Sequence, residues 1–220
     1  MPAAKVFVTG GTGYVGRPLL DALLARGHAV HALARTGSAV RLPAGVVPVI
    51  GDALDAASFA AAIPARATLV HLVGTPHPNP SKAAEFEQID LASIRAAVRA
   101  AESAGVAHIV YVSVAHPAPV MRAYIAVRKQ GEALIAATGI SATILRPWYV
   151  LGPGHYWPYL LVPLYALGRL LPATREQALR LGLVTRAQMV RALAAAVETP
   201  PAAGMRIVDV PTIRQAQSGS

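Results

Sequence analysis

Short apolar, β-branched runs alternate along the chain with longer segments whose apolar residues recur at helical spacing. KVFVT opens the rhythm and predicts a first strand. YVGRPLLDALLARG follows, with Leu19, Leu20, Leu23 and Leu24 on one helical face and Gly27 placed to close the helix. HAVHALA and VVPVI read as the second and third strands, DAASFAAAI as a short helix and ATLVHLV as the fourth strand. FEQIDLASIRAAVRAAESAG then reads as a long helix, HIVYVSV as a strand, the segment around AYIAVRKQGEAL as a helix and ISATILR as a strand. Strands alternating with helices of this length predict βαβ units, hence a doubly wound α/β fold with a parallel sheet covered on both faces.

After Arg146-Pro147 the rhythm breaks. Residues 147–183 are rich in Pro, Gly, Trp and Tyr and show no clear period. Thr185 and Gln188 form a capping-box pattern ahead of the helix AQMVRALAAAVE, MRIVDV reads as a last strand, and RQAQSGS as a frayed tail. The expected organisation is a core of residues 1–146 with a small lobe, residues 147–220, packed on it as one structural unit.

The strongest chemical signal is KVFVTGGTGYVGRPLL. Gly10, Gly13 and Gly16 recur at three-residue spacing, between a predicted strand and a predicted helix, which is the context a dinucleotide turn requires. The first glycines permit a tight turn, the next lets backbone approach a pyrophosphate, and Gly16 allows close packing of helix on strand. The N–H groups at the helix start, aided by its dipole, then hold the phosphates. About 20 residues on, NAD sites offer a carboxylate to the ribose 2′-OH. Here the second strand ends in Ala34-Arg35-Thr36, with no acid nearby. Arg35 is suited to pair a 2′-phosphate, so NADP(H) is favoured over NAD(H).

Composition narrows the alternatives. Of 220 residues 54% are hydrophobic and 14% charged, which excludes a disordered chain. The net charge is +9, yet the arginines are scattered singly from Arg17 to Arg214, so no nucleic-acid footprint is expected. Without cysteine there are no disulfides, thiolate metal sites or cysteine nucleophiles. The histidines His71, His77, His108, His116 and His155 have no metal-ligand spacing and are expected to be structural or at the surface, and no metal is predicted. No G-x-S-x-G elbow occurs. The N-terminus lacks the pattern of a signal peptide. The most apolar segment, residues 156–171, is broken by Pro158, Pro163, Gly168 and Arg169 before it reaches the length of a membrane span. A soluble cytoplasmic protein is expected.

Five motifs in order carry a family resemblance: TGGTGYVG, the pair Gly51-Asp52, VYVS from Val110 to Ser113, Y-x-x-x-R-x-x-x-E from Tyr124, and ILRPWYVLGPG from Ile144. Together they resemble the atypical short-chain dehydrogenase/reductase family, nearest in flavour to the NmrA-like redox sensors and the nucleotide-binding accessory subunit of respiratory complex I. The resemblance covers residues 5 to about 155. It implies that Thr12, Gly13, Tyr14 and Val15 lie along the pyrophosphate, Asp52 and Ala53 by the adenine, Val73 and Gly74 by the inner ribose, and Pro147 near the nicotinamide. It further implies Ser113 as the serine that polarises a substrate carbonyl and Tyr124 as the proton donor. Arg128 stands where the catalytic pattern has lysine.

That departure bears on chemistry. A free tyrosine titrates near pH 10 and needs a nearby cation to exchange a proton at neutral pH. Arg128 keeps the charge one helical turn from Tyr124, but its planar fork differs from a compact ammonium. Glu132, one turn further on, is placed to pair with Arg128 and hold it away from the cofactor. Two functions therefore stand: an NADP(H)-dependent oxidoreductase on a small carbonyl or apolar substrate, or a dinucleotide-loaded sensor or accessory subunit without turnover. Trp148, Tyr149, Tyr156, Trp157 and Tyr159 fit a substrate cleft, a docking surface for a protein partner, or plain packing of the lobe.

Overall fold

The computed structural model describes residues 3–153 and 180–216. Seven strands form one sheet: β1 (Lys5–Thr9), β2 (Ala29–Ala34), β3 (Val47–Ile50), β4 (Thr68–His71), β5 (His108–Val112), β6 (Ser141–Leu145) and β9 (Met205–Val208). Their spatial order is β3-β2-β1-β4-β5-β6-β9, and every pairing is parallel. The order turns back between β1 and β4, so the strands run outward in both directions from a crevice at their C-terminal ends. In such sheets that crevice is where ligands bind.

Val6, Phe7 and Val8 on β1 are all fully buried, as a strand covered on both faces requires. Alternate residues feed different layers. Val6 and Val8 pack with Leu19, Leu20 and Leu23 of α1 (Gly16–Ala25), whereas Phe7 packs with Ile94 and Ala97 on α2 (Ala92–Ala104) and with Ile135 on α3 (Arg122–Ala137). Met189, Leu193 and Val197 of α4 (Arg186–Glu198) join the α1 layer. The predicted capping box of α4 is present, with Thr185 accepting from the Gln188 N–H and the Gln188 side chain returning to Thr185.

Several elements differ from the sequence expectation. DAASFAAAI forms two 3₁₀ turns, Ala56–Ser58 and Ala60–Ala62, instead of a helix. Nine residues are too few to sustain an isolated α-helix, and the Asp55 side chain caps the first turn by accepting from the Ala57 N–H. The long helix before β5 starts with one α-turn, Ala83–Glu85, and widens to a π-helical stretch, Phe86–Leu91, before α2. Two three-residue strands, β7 (Tyr149–Leu151) and β8 (Leu183–Thr185), pair in parallel as a small second sheet. Strands that short show no readable alternation. The tail is more ordered than expected up to Ala216. The Asp209 side chain accepts from the Thr212 N–H and opens α5 (Val210–Gln215), and Arg214 donates to the Leu183 carbonyl.

Candidate cofactor and catalytic site

The glycine turn joins β1 to α1 at the C-terminal edge of the sheet. Gly10 has φ +76°, and a Cβ there would come within 2.9 Å of the Leu72 carbonyl carbon. A Cβ on Gly16 would overlap the Gly10 carbonyl oxygen, so α1 can start this close to β1 only with glycine. The Gly13 N–H closes the turn onto the Gly10 carbonyl at 3.0 Å. Backbone is thereby laid bare beside a cavity of about 390 Å³.

Gly10, Thr12, Gly13, Arg35, Asp52, Ala53, Val73 and Gly74 all line that cavity, so the turn, the end of β2, the loop after β3 and the loop after β4 meet as one site. Arg35 is exposed at its rim. Ser38, in a 3₁₀ turn after β2, also lines the cavity and donates to the Arg35 carbonyl at 3.0 Å. Asp52 accepts from the Leu54 N–H at 3.0 Å, which fixes the loop on the opposite wall. The bare glycine cradle and the open end of α1 fit a pyrophosphate.

The remaining residues singled out in the sequence do not line this cavity. Val15 precedes α1 and packs on the core, Gly16 is consumed by the helix contact, and Pro147 is buried, its carbonyl accepting from Ala115. Tyr14 sends its side chain toward Gly152 and Arg186.

Tyr124, Arg128 and Ser113 lie at the ends of β5 and α3. Arg128 is buried. It donates to Asp90 Oδ1 at 2.6 Å, to the Val112 carbonyl at 3.0 Å and, more weakly, to the Tyr111 hydroxyl at 3.4 Å. Burial opposes its charge, but Tyr124, Tyr111 and Asp90 outweigh burial and hold the guanidinium in its protonated form. Its carbon lies 5.0 Å from the Tyr124 ring centroid, and its Nη2 occupies the space beside Gly74. Arg128 therefore touches a wall of the dinucleotide cavity and the face of Tyr124 at once.

Asp90 was not singled out in the sequence. It sits in the π-helical stretch, fully buried, and accepts from both the N–H and the hydroxyl of Thr75 at 2.9 and 2.6 Å. Nothing local separates it from Glu85 and Glu87 just before it in the chain; its partners lie 15 and 38 residues away.

The expected Arg128–Glu132 pair does not form. Glu132 accepts from Ser113 Oγ at 2.6 Å and takes a forked contact from Arg146 at 3.0 and 2.5 Å. The two side chains leave α3 toward different strand ends, Arg128 to the loop after β4 and Glu132 to β5 and β6. Burial raises the Glu132 pKa, yet the bonds from Arg146 and Ser113 prevail and lower it below the ordinary carboxylate value. The single proton of Ser113 is thus directed to a carboxylate.

Tyr124 packs against Phe86 at 5.0 Å between centroids and lines a small cavity of about 30 Å³ with Pro78, Val114, Met121, Trp148 and Tyr149. Tyr156, Trp157, Tyr159, His155 and the apolar segment 156–171 lie outside the described residues. His71 is buried between Thr9 and Ser93, and burial, then Arg128, lowers its pKa to about 3. His108 bonds Thr143 and is lowered to about 4, chiefly by burial. Among the described residues no three His, Asp or Glu side chains form a metal cluster, and no helix is long and apolar enough to cross a membrane.

Residues 10–155 match the model of a family described as NAD(P)H-binding. The chain is 28% identical over 170 residues to a 4-hydroxy-2-methyl-3-oxo-4-farnesyl-3,4-dihydroquinoline-1-oxide ketoreductase from Stigmatella aurantiaca, covering 67% of this chain and 51% of that protein. It is 29% identical over 212 residues to a ceramide reductase from Caulobacter vibrioides, covering 93% of this chain and 64% of that protein. The chain thus spans roughly half to just under two thirds of these relatives' length. A short-chain dehydrogenase/reductase superfamily protein from Agrobacterium tumefaciens, solved with bound NAD, superposes with a TM-score of 0.66 at 20% identity, covering 91% of this chain and 76% of that one. The glycine cradle, the strand order and the family match agree: this chain belongs to the NAD(P)H-binding family whose model it matches, and it shares the fold of the short-chain dehydrogenase/reductase structure on which it superposes.

Proposed function

We propose that this protein is an NADP(H)-dependent reductase of a small carbonyl or apolar substrate, working in the cytoplasm. The observation that carries the reading is the position of Arg128, which touches Gly74 on the dinucleotide cavity and the ring of Tyr124 on the neighbouring apolar cavity. A cation that spans the two cavities joins a cofactor site to a proton donor. The reductase names of relatives support the reaction class.

The turn from Gly10 to Gly16 would hold the pyrophosphate, Asp52 and Ala53 the adenine side, and Val73 and Gly74 the inner ribose. Arg35, exposed at the cavity rim with no acid beside it in sequence, would take a 2′-phosphate and so select NADP(H). The bound cofactor supplies the hydride. Tyr124 gives its phenolic proton to the substrate oxygen, with the guanidinium of Arg128 lying against its ring. Ser113, bonded to Glu132, presents lone pairs toward its surroundings and positions a hydroxyl group more readily than it polarises a carbonyl. Met121, Trp148 and Tyr149 give the cavity its apolar character.

One observation favours the second reading, a dinucleotide-binding sensor or accessory subunit. Arg128 already directs both of its Nη groups to Asp90, Val112 and Tyr111, as a structural residue would. NADPH consumption with quinones, aldehydes and ketones separates the two. A reductase loses turnover in Tyr124→Phe while keeping its NADPH affinity. Arg128→Lys is expected to lose activity as well, since one ammonium cannot span both Asp90 and the Val112 carbonyl as the fork does. Turnover that survives Tyr124→Phe would remove the tyrosine from the reaction, and an inert wild type that binds NADPH tightly would leave the sensor reading.

A further inference from the structure

Tyr14 belongs to the glycine turn, yet it does not line the dinucleotide cavity. Its hydroxyl is buried against Gly152, where a Cβ would overlap it. The Arg186 guanidinium lies 5.0 Å from its ring centroid. Gly152 directly follows β7, and Arg186 opens α4 directly after β8, so both strands of the small sheet end on this one side chain. β7 also carries Tyr149, a wall of the cavity beside Tyr124. A path of direct contacts thus runs from the phosphate turn through Tyr14 and Gly152 to the Tyr124 cavity.

We propose that Tyr14 is a positioning residue through which dinucleotide binding fixes the β7–β8 seam, and with it the Tyr149 wall of the cavity at Tyr124. The turn carries no side chains at Gly10, Gly11 and Gly13, and the Gly13 N–H bond to the Gly10 carbonyl closes it. A pyrophosphate held on its N–H groups adds restraint to the same peptide units. Tyr14 is carried on the same few peptide units, so its ring becomes a fixed post. Arg186 and Gly152 pack against that post from β8 and β7, which converts order in the turn into order at the seam. The coupling to the seam needs only dinucleotide binding; its consequence for a substrate rests on the reductase reading.

Hydrogen exchange read by mass spectrometry, with and without NADPH at saturation, tests the coupling without any substrate. In the wild type, NADPH is expected to slow exchange in peptides covering 147–153 and 181–188 as well as in the binding peptides covering 6–13 and 30–38. Tyr14→Ala is expected to lose the protection at 147–153 and 181–188 while keeping it at 30–38. Tyr14→Phe, which retains the ring over Arg186, is expected to keep most of both. If Tyr14→Ala does not bind NADPH, Gly152→Ala decides the matter, because its methyl displaces the same hydroxyl from the far side of the turn. Seam peptides that NADPH does not protect in the wild type, or that it protects equally in Tyr14→Ala and Gly152→Ala, would overturn the proposal. Failure to find a carbonyl substrate would count against the reductase reading and leave the exchange result standing.

Discussion

The two ends of the cleft are built from different materials. At the glycine-turn end the wall includes bare backbone at Gly10 and Gly13 in the turn, Gly51 after β3 and Gly74 after β4. Around Arg128 and Ser113, toward the Tyr124 end, the structure rests instead on side chains bonded to one another: Arg128 to Asp90, Asp90 to Thr75, Ser113 to Glu132 and Glu132 to Arg146. A backbone site is specified by where glycine must stand. A side-chain site is specified by partners far apart in sequence, so one substitution re-sorts several bonds. The first end is therefore expected to fail locally, and the second to fail by losing fold.

The largest effect is expected at Asp90. Asp90→Ala leaves the Arg128 guanidinium buried without its carboxylate, which costs about 3–5 kcal/mol. Urea denaturation reads this as a fall in midpoint, and the double variant Asp90→Ala/Arg128→Met is expected to recover part of it. A single variant as stable as wild type would mean that the pair contributes nothing.

Gly13→Val comes next. Its Cβ already lies 3.1 Å from the Gly10 carbonyl, and the branched side chain would enter the path of a pyrophosphate. NADPH affinity is expected to drop by at least about 100-fold, or about 2.7 kcal/mol, with little change in thermal midpoint. If the midpoint collapses too, the glycine-turn end is less local than its geometry suggests.

Arg35→Ala is milder, because the guanidinium is exposed and screened. It is expected to reduce the preference for NADPH over NADH about tenfold in calorimetric titration, with NADH affinity nearly unchanged. Equal affinities in the wild type would remove Arg35 as the selector.

The effect that vanishes at neutral pH is a pH slope at the joint of the two ends. His71 bonds Thr9 at the end of β1 and Ser93 on α2. Its folded pKa, about 3, lies below the ordinary 6.5, so the unfolded chain binds the proton first. Stability is therefore complete above pH 6.5 and falls as the pH drops from there toward 3, by at most about 1.4 kcal/mol per unit. His71→Gln is expected to flatten that slope between pH 6 and 4 in denaturant titrations. An unchanged slope would assign the acid sensitivity to other groups.

The sequence by itself determined the parallel α/β core, because continuous apolar strands such as KVFVT and the stripe Leu19, Leu20, Leu23 can be buried in only one general way. It also determined the tight strand-to-helix turn, since glycine at positions 10 and 16 reports a backbone approach that excludes any side chain. What it could not determine was pairing among charged groups. From α3 alone, Arg128 and Glu132 read as partners one turn apart. In the fold, a π-helical turn brings Asp90 to Arg128 and the end of β6 brings Arg146 to Glu132. The strands β7 and β8 were equally hidden, three residues each and paired across 34 positions of chain. Periodicity and glycine spacing are local and survive in one dimension. Ion pairs and short pairings depend on which strand ends meet, and only tertiary structure decides that.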